Sequence, residues 1–204
     1  MKGGRLSRHC NTAWAPALFV AFTLISLACV SDAAEGLTNQ HFPAETPEPR
    51  ILTARQAYEK WQADSGKPII LDVRTPEEFM FVGHPEMAWN VPLAAQSYVW
   101  DAAAGEFPMR QLSDFVARVE QIAERDDTLL VMCRSGTRSA QAVDLLVRAG
   151  FRNVYDITDG MEGDVVESPN SVFHGQRMVN GWKNSGLPWT YDVDPKHIIL
   201  SPTR

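Results

Sequence analysis

The residues of this chain best suited to chemistry are Cys133, Arg134, Ser135, Gly136, Thr137, Arg138 and Ser139. Leu129 to Met132 is a short branched apolar run, the pattern of a buried strand, and Ser139 to Ala149 has helical spacing. A strand, a tight turn and a helix N-terminus therefore converge on one sulfur. Successive backbone N–H groups in such a turn form an anion-binding nest. The helix end adds unsatisfied donors and positive partial charge. A cysteine in that field is expected to be a thiolate at neutral pH. Gly136 suits the turn, because a tight loop needs a residue that tolerates positive φ. The plain alternative is an inert thiol at a strand end, since free cysteine is often buried. Two arginines and a glycine around the sulfur argue against it. Arg138 stands at the helix start, where a cation is electrostatically disfavoured, so its presence points to an anion that it serves.

Other chemistries find less support. His41, His174 and His197 are too scattered to suggest a metal site, and Cys10, Cys29 and Cys133 have neither metal-ligand spacing nor the density of a disulfide framework. Gly160-Met-Glu-Gly163 lacks the spacing and the preceding context of a nucleotide-binding loop. A net charge of −6 offers nothing to nucleic acid. No cofactor or metal is expected.

The elements that must position the cysteine read as follows. Thr53 and Gln56 form a capping box for a helix to about Ala63, with Ala57, Tyr58 and Trp61 on its apolar face. Ile69 to Val73 is a buried strand ending at Asp72 and Arg74. Pro76, Glu77 and Glu78 open a short helix that Gly83 stops. Ala88 to Val91 is a brief strand. Gln96 to Met109 is expected as a loop insertion near the site, without regular structure. Leu112 to Arg125 is expected as a helix with Phe115, Val116, Val119, Ile122 and Ala123 on one face. The helix after Cys133 buries Ala142, Val143, Leu146 and Val147, and Gly150 caps it. Val154 to Ile157 is the next strand, and Asp159-Gly-Met161 is expected to open a short helix. Strands alternating with helices predict an α/β fold, a central parallel sheet with helices on both faces. Cys133 then lies at a strand C-terminus, where such sheets bind ligands. From Ser168 onward, Trp182, Leu187 and Trp189 are expected to cover the domain surface. Lining of the cleft mouth by this segment is the less favoured reading, and the residues after Trp189 read as an extended tail.

Three segments resemble the rhodanese-like sulfurtransferase family. Cys133-Arg-Ser-Gly-Thr-Arg-Ser139 looks like its active-site loop; Leu71-Asp-Val-Arg-Thr-Pro-Glu-Glu-Phe79 and Gly83-His-Pro-Glu-Met-Ala-Trp-Asn-Val-Pro92 resemble its two earlier signatures. The resemblance covers roughly Leu52 to Met161; this chain has Met87 where the family usually has glycine. It implies a domain over 51–165 and a C-terminal extension over 166–204 that packs on it. It implies that Cys133 attacks the outer sulfur of thiosulfate or another sulfane donor and forms a covalent persulfide. Cyanide, a thiol or a protein sulfur acceptor then takes the sulfur. Backbone N–H groups from Arg134 to Arg138 would ring the persulfide, and Arg134 and Arg138 would draw in a small anionic donor. Asp72 and Arg74 look like the family's acid and base, with an ion pair that supports the site as their role. His84 belongs to the scaffold. A cysteine-dependent phosphatase is disfavoured, because related phosphatase loops place arginine after five intervening residues, whereas Arg138 follows Cys133 after four. A non-enzymatic persulfide carrier or interaction module is the remaining alternative.

The N-terminus reads as a targeting signal over 1–33, followed by a linker over 34–50 with Pro43, Pro47 and Pro49. Lys2, Arg5 and Arg8 precede an apolar run from Trp14 to Val30, with small residues for cleavage after Ala28 or Ala33. The mature protein is expected in the periplasm or otherwise exported. Lipidation at Cys29, or an uncleaved span over the 18 residues from Ala13 to Val30, would instead tie it to a membrane. Cleavage past Ala33 would leave Cys133 alone, so sulfur it holds must pass to an external acceptor.

Overall fold

The computed structural model describes residues 50–65 and 67–200. The targeting segment, nearly all of the linker, Cys10 and Cys29 lie outside the described residues. Five parallel strands form the central sheet in the order β1-β7-β6-β2-β3. They are β1 (Arg50–Leu52), β2 (Ile69–Asp72), β3 (Trp89–Asn90), β6 (Thr128–Met132) and β7 (Asn153–Ile157). Two short antiparallel strands, β4 (Ala94–Gln96) and β5 (Met109–Gln111), make a separate ribbon. The helices are α1 (Ala54–Ala63), α2 (Pro76–Val82), α3 (Phe115–Val119) and α4 (Thr137–Arg148).

Side-chain alternation along the strands sorts the core into two layers. Leu71, Leu129, Val131 and Val154 pack with Phe115 and Val119 of α3 and with Ala142, Val143 and Leu146 of α4. Ile70, Leu130, Met132 and Ile157 pack on the other face with Ala54 and Ala57 of α1 and Phe79 of α2. The predicted parallel sheet with helices on both faces is therefore present. Register places the site: Met132 pairs with Asp72 on one side and Ile157 on the other, so Cys133 leaves the sheet between two strand ends. Among the described residues, no helix is long and apolar enough to cross a membrane.

Local signals explain the helix starts. Thr53 with Gln56, and Thr75 with Glu78, each form a complete capping box, and Pro76 stands in the first turn of α2. Four expectations need correction. The segment Gln96 to Met109 is not all loop, because Gln96 and Met109 pair in the ribbon and Trp100 stacks edge-on against Phe107 at 5.1 Å. The helix expected to Arg125 ends at Val119. Tighter turns follow, in which Gln121 and Ile122 N–H groups reach back three residues to Arg118 O and Val119 O. The apolar face is kept by these turns, since Ala123 stays buried. Asp159 to Met161 is a turn rather than a helix: the Gly160 N–H reaches back three residues to Ile157 O at 3.1 Å, and the Met161 N–H goes across the fold to Cys133 O at 2.8 Å. After Trp189 the chain forms a 3-10 turn at Pro195–His197, and the Ile199 N–H donates to Asn90 O at the sheet edge at 2.8 Å.

Trp182 is a core residue rather than a surface cover. It is completely buried among Met132, Ile157 and Leu187, and its indole N–H donates to Pro188 O at 2.8 Å. Trp182→Ala should lower the free energy of urea unfolding by about 3–5 kcal/mol. A loss below about 1 kcal/mol would show that the cluster closes without it.

Candidate active site

Cys133 sits at the C-terminal end of β6 with 1% of its surface exposed. The Gly136 N–H donates to Sγ at 3.2 Å, and the Ser139 hydroxyl lies 3.6 Å from the same sulfur. Ser139 Oγ is also 2.9 Å from Gly136 O, so its one proton is shared between that carbonyl and the sulfur. Of the amides expected to ring the sulfur, Gly136 is the one that donates to it among the described residues. Gly136 has φ +98° and a Cβ there would stand 2.3 Å from Thr158 O, so both conformation and close approach require glycine. α4 starts at Thr137, two residues earlier than its apolar spacing suggested, which puts Thr137, Arg138 and Ser139 in its first turn.

The turn after β7 closes the loop from behind. Cys133 O accepts from Met161, and Arg134 O accepts from Glu162 at 2.9 Å. Gly160 makes this possible, since a Cβ there would lie 2.4 Å from Cys133 O. Beside the loop, Ser135, Asp164, Val165, Glu167, Arg177 and Val179 line a cleft of about 620 Å³. Glu167, Arg177 and Val179 of the C-terminal segment thus line a cleft that the loop reaches through Ser135.

The two loop arginines are not equivalent. Arg134 is exposed, as is Thr137, and Ser135 is half-buried. Arg138 is largely buried, and its guanidinium forks onto both carboxylate oxygens of Glu78, at 2.6 and 2.7 Å. Burial works against the Arg138 charge, but Glu78, then Cys133 and Asp72, hold it protonated more firmly than a free arginine. Burial likewise pushes the Glu78 carboxyl up, yet the Arg138 hydrogen bonds and charge bring it net below the usual carboxylate range. Glu78 was missed as a site residue. Its sequence marked it only as a helix-start acid after Pro76, because its partner Arg138 lies 60 residues away in sequence.

Asp72 and Arg74 form a completely buried ion pair at 2.6 Å. Arg74 also donates to Gly83 O at 2.8 Å, and the Asn90 amide donates to Asp72 O and Arg74 O. His84 is buried, stacked on Phe79 at 3.6 Å, with Nδ1 3.0 Å from Phe79 O; burial pushes its pKa down. Among the described residues, no cluster of His, Cys, Asp and Glu side chains could hold a metal ion.

This loop, on this sheet, defines a family. The chain belongs to the rhodanese-like domain family, which it matches over residues 54–165. Over 90 residues it is 39% identical to the senescence-associated protein DIN1 of Raphanus sativus, a match that spans 44% of each chain. It is 42% identical, also over 90 residues, to thiosulfate sulfurtransferase 16, chloroplastic, of Arabidopsis thaliana, across 44% of this chain and 68% of that one. The crystal structure of Rv0390 from M. tuberculosis superposes with a TM-score of 0.53 at 28% identity, covering 70% of this chain and 97% of that one.

Because the folded Glu78 carboxyl titrates below its unfolded counterpart, its stabilisation is present above the ordinary carboxylate range and is lost as pH falls through the depressed value. Glu78→Gln should therefore cost about 1.5–3 kcal/mol at pH 7, and the cost should shrink in acid. Urea titrations at both pH values check this; an equal cost in acid would mean that the pair's charge is irrelevant.

Proposed function

We propose that this protein is a sulfurtransferase in which Cys133 carries sulfane sulfur, as a covalent persulfide, from thiosulfate or a similar anionic donor to a thiol or cyanide. The observation that carries the reading is the placement of Cys133 Sγ against the Gly136 N–H and the Ser139 hydroxyl at the start of α4. The Cys133 thiolate attacks the outer sulfur of thiosulfate. The donor's S–S bond breaks and sulfite leaves with its electron pair. The outer sulfur of the new persulfide carries the negative charge, which the amide, the hydroxyl and the helix end stabilise without supplying a strong acid. Cyanide then attacks that sulfur, thiocyanate leaves, and the thiolate is restored. No cofactor takes part. Arg134 is the exposed cation that meets the donor, and Arg138 holds Glu78 in check beside it. Ser135 and Thr137 complete the loop, and the Asp72–Arg74 pair supports it.

The protein acts outside the cytoplasm in this reading, and its acceptor is a small thiol or a protein thiol. The basic, then apolar, sequence before Val30 supports export. Mass spectrometry of the mature protein after thiosulfate treatment tests both points. It should show one added sulfur on Cys133 and an N-terminus near Cys29 or Ala34. Cys133→Ala should lose turnover and keep its fold, and wild-type kinetics should give parallel lines. Intersecting lines with no adduct would replace the persulfide by direct transfer. Activity on an aryl phosphate lost in Cys133→Ser would favour the phosphatase reading.

Arg138→Ala removes a cation and also strips Glu78 of its counter-ion near the path of a dianion. A charge-assisted contact worth about 1.5–3 kcal/mol predicts a roughly 10- to 150-fold fall in kcat/KM with thiosulfate. A neutral sulfane donor should lose much less. An unchanged ratio between the two donors would show that Arg138 does not read donor charge.

A further inference from the structure

Between Gly163 and Gly181 the chain makes an excursion and returns to the point it left. Its neck is backbone on backbone: a Cβ on Gly163 would collide with Asn180 O, and one on Gly181 with Gly163 N. Asn184 clasps the neck, its amide donating to Glu162 O, Arg177 O and Asn180 O. The two limbs meet antiparallel at Val165 and Arg177, and the Val166 N–H donates to Gln176 O at 2.8 Å. Side chains alternate along such limbs, so Val165 and Glu167 of one and Arg177 and Val179 of the other share a face. That face, with Asp164 and the loop residue Ser135, lines the cleft of about 620 Å³, a volume in the range of small-molecule sites. The charges in the cleft are not spent on each other. Among the described residues, Arg177, Asp164 and Glu167 form no ion pair. One Arg177 nitrogen donates to Gly163 O, and one Asp164 oxygen accepts from the Asn180 amide. The other Arg177 donors and the exposed Glu167 carboxylate make no hydrogen bond among the described residues. An arginine fork suits a carboxylate, and a carboxylate suits an ammonium group. Val165 and Val179 offer an apolar wall to the short carbon chain that would join the two.

We propose that this cleft binds the sulfur acceptor, and that the acceptor is a small zwitterionic thiol of the amino-acid kind. Its carboxylate sits on Arg177 and its ammonium group on Glu167 and Asp164. The proposal rests on the reading of Cys133 as the sulfur carrier and names the acceptor that this reading leaves open. Cleft and loop join at Ser135, two residues after Cys133. The excursion packs on the loop next to it, the Glu162 and Gly163 amides both donating to Arg134 O. The bound thiol gives its proton to solvent, and its thiolate attacks the outer sulfur of the Cys133 persulfide. The bond between the two persulfide sulfurs breaks. Its electron pair stays on Cys133 as the thiolate, and the acceptor leaves as a persulfide anion. Fixing the acceptor by both of its charges makes the attack effectively unimolecular.

The test is discharge of the thiosulfate-loaded full chain by L-cysteine, cysteamine, mercaptopropionate and cyanide. Each variant is compared with wild type acceptor by acceptor, so that the acidities of the thiols cancel. Arg177→Gln should lower kcat/KM about tenfold, relative to cyanide, with the two carboxylate-bearing thiols, L-cysteine and mercaptopropionate. Cysteamine should lose much less. Glu167→Gln should give the complementary pattern, with losses for L-cysteine and cysteamine and none for mercaptopropionate. Glu167 is exposed and unpaired, so this variant reads the cleft even where Arg177→Gln disturbs the excursion. Equal losses for all three thiols in both variants overturn the proposal, as does no loss in either. Discharge to cyanide in such a protein leaves the sulfur-transfer reading standing. A chain that takes no sulfur from thiosulfate counts against that reading, and the cleft is then read by calorimetric titration with S-methyl-L-cysteine, which cannot accept sulfur. Its binding should weaken about tenfold in Arg177→Gln; no binding to the wild-type chain overturns the cleft.

Discussion

Two opposite charges with no contact to water, Asp72 and Arg74, hold the active face together. Removing both from water is expensive, and only close, multiple hydrogen bonds offset it. Arg74 supplies them: its Nε meets both Asp72 oxygens at 3.0 Å, and its terminal nitrogen reaches Gly83 O beyond α2. Burial works against the Arg74 charge and Asp72 overcomes it. The consequence is positional. The end of β2 is tied to the end of α2, and Asn90 ties β3 to the same backbone. With α2 so placed, Glu78 in its first turn faces Arg138 in the first turn of α4. A chain of fixed charges therefore runs from the middle of the sheet to the loop that carries the sulfur.

The loop is also shaped by backbone packed on backbone. Gly136 approaches Thr158, and Gly160 approaches Cys133 and Arg134, both closer than any side chain allows. Carbonyls on the far side of the loop are taken by Met161, Glu162 and Gly163 amides. The Gly136 N–H on the near side is thereby held on Sγ, oriented by the fold itself.

Much of this was legible in the residues themselves. Cys133, the glycine turn, the Thr53–Gln56 capping box and the alternating apolar runs are local patterns, and local patterns set local structure. The alternation of strands and helices was enough for the parallel sheet. What escaped depends on contacts distant in sequence. Glu78 looked like a helix-start acid until Arg138 met it. Gln96 and Met109 have no strong strand pattern, and their ribbon comes from cross-strand pairing. The length of α3 was overestimated because apolar spacing reports which face is buried, not which hydrogen bonds are made.

The segment beyond 166 supplies Trp182 and Leu187 to one layer of the core and packs Ile199 against the other. Arg118 of α3, itself 1% exposed, gives a hydrogen bond to Ile199 O. During synthesis, then, the sheet can be complete in sequence by Ile157 while both of its faces still lack pieces. Both faces are complete only once Trp182 and Ile199 have left the ribosome tunnel. Until then, the apolar surface meant for Trp182 and Ile199 is open to chaperones and to neighbouring chains.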